Sequence, residues 1–183
     1  MWLVAEHGAE FRFTSGCTWE PLRSQVPAEW KSSVMPILEH FVDRTPGSFV
    51  EEKKYALVWH YRTAEPEFGE WLANELVSML EAMLAETEVR AFRGGKIVEV
   101  KPVWANKGTA LDRLLLAYPD PDFIFAAGDD RTDEDLFERL QGDAWTVHIG
   151  SGPTRASYVV GDFEALRGVL GLFVESGSAP SPS

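Results

Sequence analysis

From Pro102 onward the chain alternates apolar extended runs with amphipathic helical ones, and that rhythm most narrows what it can fold into. Lys107 to Tyr118 has helical spacing, Asp122 to Ala127 reads as an apolar strand, and Thr132 to Leu140 as a helix. Trp145 to Ile149 follows as a strand and Asp162 to Val174 as a helix. Strand–helix alternation predicts an α/β fold, a parallel sheet with helices on its faces. In such sheets ligands gather at the carboxyl ends of the strands.

The strand expected to end at Ala127 runs straight into Gly128-Asp129-Asp130-Arg131-Thr132-Asp133-Glu134-Asp135. Gly128 permits a sharp turn there. Thr132 is placed to cap the next helix, with Asp135 three residues on in the capping-box position. An acidic first turn also suits the helix dipole, which accounts for Asp133 to Asp135. It does not account for two adjacent aspartates at the end of a buried strand. Hard oxygen donors in that place suit Mg²⁺, which is held by one or two carboxylates together with water and substrate phosphate. One βα unit earlier, Asn106-Lys107-Gly108-Thr109 opens a helix. A lysine there can reach a phosphate and an aspartate at the neighbouring strand end.

The preceding half follows another pattern. Residues 2–13 read as a strand pair about a turn at Glu6-His7-Gly8-Ala9. Residues 28–43 read as a helix that Pro36 should kink or divide. Thr45-Pro46-Gly47-Ser48 is a breaker. Tyr55 to Tyr61 is strand-like, Glu65 to Glu86 is a long amphipathic helix, and Val89–Phe92 and Lys96–Val100 form a hairpin about Arg93-Gly94-Gly95. This β-α-β-β block marks a small inserted lobe. The expected organisation is a core from residues 1–44 and 105–175, a cap from 45–104, and a disordered Ser/Pro/Gly-rich tail at 176–183.

Charge and composition exclude several classes of function. The 183 residues carry 29 acidic against 17 basic side chains, a net of −12. That balance speaks against nonspecific nucleic-acid binding, which needs a basic face, and against anionic membranes. Yet five of the six lysines (Lys53, Lys54, Lys96, Lys101, Lys107) fall in one stretch, so a local anion site remains open. No apolar run approaches the roughly 18 residues of a spanning helix. The single cysteine, Cys17, allows no internal disulfide and favours a reducing, cytoplasmic setting.

Together the Lys107 and Gly128–Asp135 segments resemble the third and fourth motifs of the haloacid dehalogenase superfamily. The octapeptide narrows the resemblance to its trehalose-6-phosphate phosphatase family. Val50-Glu51-Glu52-Lys53 continuing to Trp59-His60-Tyr61-Arg62 looks like that family's first cap strand. Gly95 to Pro102 looks like its last cap hairpin, and Ala5 to Ala9 like its core strand before the cap. The resemblance spans residues 2–174. It implies a Rossmann-type parallel core with an inserted α+β cap, Mg²⁺ as cofactor and trehalose 6-phosphate as substrate. It implies that Asp129 ligates Mg²⁺ with Asp133 in support, and that Lys107 neutralises the transferring phosphoryl group. Glu51, Lys53, Arg62, Lys96 and Glu99 match positions that contact sugar hydroxyls or enclose the substrate. Glu51 and Lys53, two apart on an extended segment, share a face. Lys96 and Glu99 are three apart, so a bulge or turn is needed to bring them together. His7 and His60 are expected to be packed or hydrogen-bonded, not catalytic.

The superfamily's nucleophile and its general acid/base stand in an Asp-x-Asp-Gly-Thr run, and the 183 residues contain none. Asp120-Pro121-Asp122 has the spacing but lacks Gly-Thr and precedes a strand. The expectation is a phosphatase domain without its first, central strand, leaving an apolar sheet edge that an upstream segment or a trehalose-phosphate synthase partner would complete. The alternative is a noncatalytic module that holds a sugar phosphate.

Overall fold

The computed structural model describes residues 3–12, 17–23, 29–142 and 144–176. The chain divides into two compact units, Met1–Asn106 and Lys107–Ser183.

In the first unit β1 (Leu3–Ala5) and β2 (Glu10–Arg12) pair antiparallel about a 3-10 turn at Glu6–Gly8, and β3 (Glu20–Pro21) adds to β2. The turn holds Glu6 and His7 at φ of 50° and 55°. That left-handed region is uncommon for residues with a side chain. α1 (Glu29–Arg44) runs unbroken through Pro36. The helix is not divided there, because Pro36 and Ser32, whose carbonyl loses its partner, both lie on the exposed side. Val34, Leu38 and Phe41 meanwhile bury both halves of the helix in one core.

That core belongs to a four-stranded antiparallel sheet of order β4-β5-β7-β6, from β4 (Phe49–Glu52), β5 (Leu57–His60), β6 (Val89–Gly94) and β7 (Ile97–Pro102). α2 (Pro66–Leu84) lies between β5 and β6 in sequence and buries Leu72, Leu76 and Leu80 on the same core as Leu57, Trp59, Val98 and Val100. Helix α1, from the segment expected to serve the core, therefore packs against the sheet of residues 49–102. The hairpin turn lies two residues later than expected. β6 extends to Gly94, and Gly95 and Lys96 make the bend, with Lys96 at φ 68°.

Alternation decides which residues share the opposite face. Glu51 pairs with Val58, Val58 with Glu99, and Glu99 with Phe92, so these four form one row across the sheet. Phe49, His60 and Ile97 form the next row. Both rows lie on the side away from Trp59 and Val98.

The second unit contains α3 (Lys107–Ala117), β8 (Phe125–Gly128), α4 (Arg131–Arg139), β9 (Trp145–Ile149), β10 (Tyr158–Val160) and α5 (Phe163–Ser176). Its sheet is parallel in the order β10-β9-β8, as the alternation predicts. Among the described residues β8 pairs on one side only, with β9. One sheet face packs Ala126 with Leu111, Phe137 and Leu140. The other opens on an apolar hollow of about 430 Å³, lined by Phe125, Trp145, Val147, Tyr158, Val169 and Phe173. Apart from Ser176, which ends α5, the expected tail lies outside the described residues. Strand β10 was not expected: three apolar residues between Ser157 and Gly161 are too few to show a period.

Leu76 is fully buried beneath the four-stranded sheet. Leu76→Ala is expected to cost about 2–5 kcal/mol through the cavity it leaves. A urea titration followed by tryptophan fluorescence would measure the loss.

Candidate functional site

The second unit's site is built on the turn from β8 into α4. Gly128 stands where no other residue fits, since a Cβ added there would lie 2.0 Å from Asp133 Cγ. The close approach lets the buried Asp133 carboxylate fold back under the loop. Its Oδ2 accepts hydrogen bonds from the backbone N–H groups of Asp129 (3.0 Å) and Asp130 (3.1 Å). Its Oδ1 accepts from Lys107 Nζ at 2.6 Å, the first residue of α3. Lys107 also lies 3.6 Å from Asp130 Oδ1.

The helix cap differs from expectation. Asp130, not Thr132, is the N-cap, and Asp133, not Asp135, closes the capping box. Asp130 Oδ1 takes the N–H of Thr132 (2.7 Å), that of Asp133 (3.1 Å) and the Thr132 hydroxyl (2.6 Å). Both residue types cap helices well. The choice follows from where the strand releases the chain, and Asp130 is still extended there at φ −112°, ψ 170°.

Electrostatics follow from this geometry. Burial disfavours the Lys107 ammonium, but its contacts with Asp133 and Asp130 outweigh that and hold its pKa above the ordinary lysine value. Burial works against the Asp130 carboxylate as well, yet the Thr132 hydroxyl, Lys107 and two backbone N–H groups hold it below its usual range. Both groups are therefore charged at neutral pH. Asp129 is exposed, and its carboxylate enters no hydrogen bond or ion pair among the described residues. Asp133, by contrast, has both oxygens engaged. Of the two aspartates expected at a metal, Asp129 is the one left open to an ion. Among the described residues no three His, Cys, Asp or Glu side chains gather into a cation cage.

Glu134 points elsewhere, accepting from the Thr154 hydroxyl (2.8 Å) and the Arg155 N–H (2.6 Å), and so ties α4 to the segment before β10.

In the first unit the helix-free sheet face brings Glu51 together with Lys53, whose Nζ lies 3.9 Å from Oε2. The same oxygen meets His60 Nε2 at 2.9 Å, and the imidazole stacks on exposed Phe49 with ring centres 4.6 Å apart. Glu99 sits between Lys101 (3.0 Å to Oε2) and His7 (3.4 Å to Oε1). Burial would raise the Glu99 pKa, but His7 and Lys101 overcome it and bring it down to about 2. Lys101, one of the clustered lysines, is not among the expected substrate contacts, yet its position two residues after Glu99 on one strand is a usable signal for the pair.

Lys96 does not join Glu99, even though it occupies a turn. Its Nζ bonds Glu70 on α2 at 2.7 Å, and Glu70 also holds Arg93. Lys96 foremost, with Arg93, keeps the Glu70 carboxyl below its usual range. Arg62 donates to the Gly95 carbonyl at 3.2 Å, bracing the same hairpin bend. His7 and His60 are each partnered with a carboxylate, as the hydrogen-bonded half of the expectation has it.

The fold is of the haloacid dehalogenase type, and comparison with known proteins carries this further. The chain belongs to the trehalose-phosphatase family, whose profile matches residues 1–159. It is 43% identical over 168 residues to a bifunctional trehalose-6-phosphate synthase/phosphatase of Thermoproteus tenax, covering 92% of this chain and 23% of that protein. It is also 43% identical to a trehalose-phosphatase of Schizosaccharomyces pombe over 160 residues, 81% of this chain and 20% of that one. Among solved structures, the C-terminal domain of Candida albicans trehalose-6-phosphate phosphatase superposes with a TM-score of 0.79 at 30% identity, covering 93% of this chain and 69% of that one. The chain thus spans under a quarter of the length of these curated relatives. Among the described residues no helix is long and apolar enough to cross a membrane.

Two outcomes follow from the site geometry. Asp133→Ala leaves Lys107 and two backbone donors without their shared acceptor, so it is expected to destabilise the second unit by about 3–5 kcal/mol. Chemical denaturation would measure that, with Asp135→Ala as a near-neutral control. For Glu99 the folded pKa lies below the ordinary value of 4.5. Its stabilising contribution is complete above that value and fades as pH falls toward 2. Glu99→Gln is expected to flatten the acid limb of stability in that window, as read by urea midpoints from pH 6 to 2.5.

Proposed function

We propose that this chain supplies the sugar-recognising sheet and the acidic loop of a Mg²⁺-dependent phosphatase that hydrolyses trehalose 6-phosphate. The observation that carries the reading is the Lys107–Asp133–Asp129 arrangement at the carboxyl end of a parallel strand. It supports a site holding a fixed cation beside an unengaged carboxylate. Lys107, kept protonated, is suited to meet a phosphoryl oxygen and offset charge that grows in the transition state. Asp129 would hold Mg²⁺. A single open carboxylate fits that ion, which completes its shell with water and phosphate oxygens. When bound, the ion supplies further neutralisation of the phosphoryl group. Asp133 acts at one remove, orienting Lys107 and holding the loop on which Asp129 stands. Glu51 and Lys53 offer an acceptor and a donor suited to sugar hydroxyls.

The nucleophilic aspartate of this chemistry has no place in the 183 residues. We assign it to an upstream segment that adds a strand beside β8 and covers the apolar hollow. A noncatalytic sugar-phosphate-binding module is the second reading, favoured by the same missing Asp-x-Asp-Gly-Thr run. Phosphate release from trehalose 6-phosphate with Mg²⁺ separates them, comparing this chain with an upstream-extended form. The expected result is release by the extended form only. Tight binding without release by both would favour the second reading.

A further inference from the structure

The two glutamates of the helix-free sheet face are held in different ways. Glu99 has one oxygen on Lys101 and the other on His7. Glu51 has both partners, His60 and Lys53, on Oε2 alone, while Oε1 meets no group among the described residues. A carboxylate accepts only, so the His60 nitrogen at 2.9 Å must be the donor. His60 is itself held by the stack with Phe49, which lies directly across from it in the β4–β5 register. By register, the charged groups on this face include Glu51 and Lys53 near His60, Glu99 and Lys101 on the adjoining strand β7, and Arg90 across from Lys101 on β6; Glu52, the next residue of β4 and on its other face, is taken by Lys31.

A glutamate on an edge strand would ordinarily sample several rotamers, and fixing it costs entropy at the moment of binding. Here that ordering is done beforehand. Resting on the sugar-phosphate reading above, we propose that His60 is a positioning residue for sugar recognition: its Nε2–H clamps Oε2 of Glu51 and so presents Oε1 to a sugar hydroxyl. Phe49 holds the imidazole in plane, and Lys53 adds a second tether to the clamped oxygen. The histidine need not touch the substrate.

The test uses the full chain and two readouts. Proton NMR should show a protected His60 Nε2–H resonance at low field, absent in Glu51→Leu. Calorimetric titration with trehalose 6-phosphate should then show roughly tenfold weaker binding for His60→Phe, the loss of about one hydrogen bond's worth of ordering. His60→Gln, which keeps a donor at a similar reach, should remain within about threefold of the parent. Circular dichroism melts would confirm that both variants are folded. The proposal is overturned if His60→Phe binds as tightly as the parent, if His60→Gln is as weak as His60→Phe, or if the proton signal survives Glu51→Leu. A parent chain that shows the signal but binds no sugar phosphate also overturns it, and the intact clamp then marks the sugar-phosphate reading as the point of failure.

Discussion

Everything at the end of β8 depends on one buried carboxylate reaching back beneath a glycine. Asp133 gathers the N–H groups of Asp129 and Asp130 on one oxygen and the Lys107 ammonium on the other. It thereby ties the start of α3 to the start of α4 across the strand end. A charge this buried is tolerated because both of its oxygens accept hydrogen bonds, one of them from a cation. The bare Cα of Gly128 is the condition for this, since any side chain there would occupy the carboxylate's own position. The octapeptide is thus a mechanical unit as much as a chemical one. Its first aspartate is left exposed because the third one does the holding.

The first unit solves a related problem with a sheet. Its helices bury one face, so the alternating residues Glu51, Val58 and Glu99 must line the other. Carboxylates there are stabilised by lysines two residues on in sequence and by histidines from elsewhere in the unit. Glu99, nearly enclosed, is saturated by Lys101 and His7. Glu51, on the edge strand β4, keeps one oxygen clear. Burial and valence together separate a structural anchor from an available acceptor, though the two residues look alike in sequence.

Much of this was legible in the sequence where a local rule had one answer. The alternation after Pro102 predicts the parallel sheet, and the stripe through Leu72, Leu76 and Leu80 predicts the long helix. What escaped reading depended on register or on competition between equals. Asp130 and Thr132 are both good caps, and only the exit point of β8 chooses between them. The Lys96 bend and the two-residue shift of its hairpin depend on which residues of β6 and β7 pair. The partnership of His60 with Glu51 lies nine residues apart across a hairpin. Whether Pro36 divides its helix depends on its exposure, which is a tertiary fact. The three-residue β10 gave no period to read.

The division of labour between Asp129 and Asp133 is the centre of this account. Carboxyl carbon NMR of the labelled chain during a Mg²⁺ titration examines it directly. The account predicts that the Asp129 carboxyl resonance moves with the ion while that of Asp133 stays in place. Movement of Asp133 with Asp129 unchanged would contradict it.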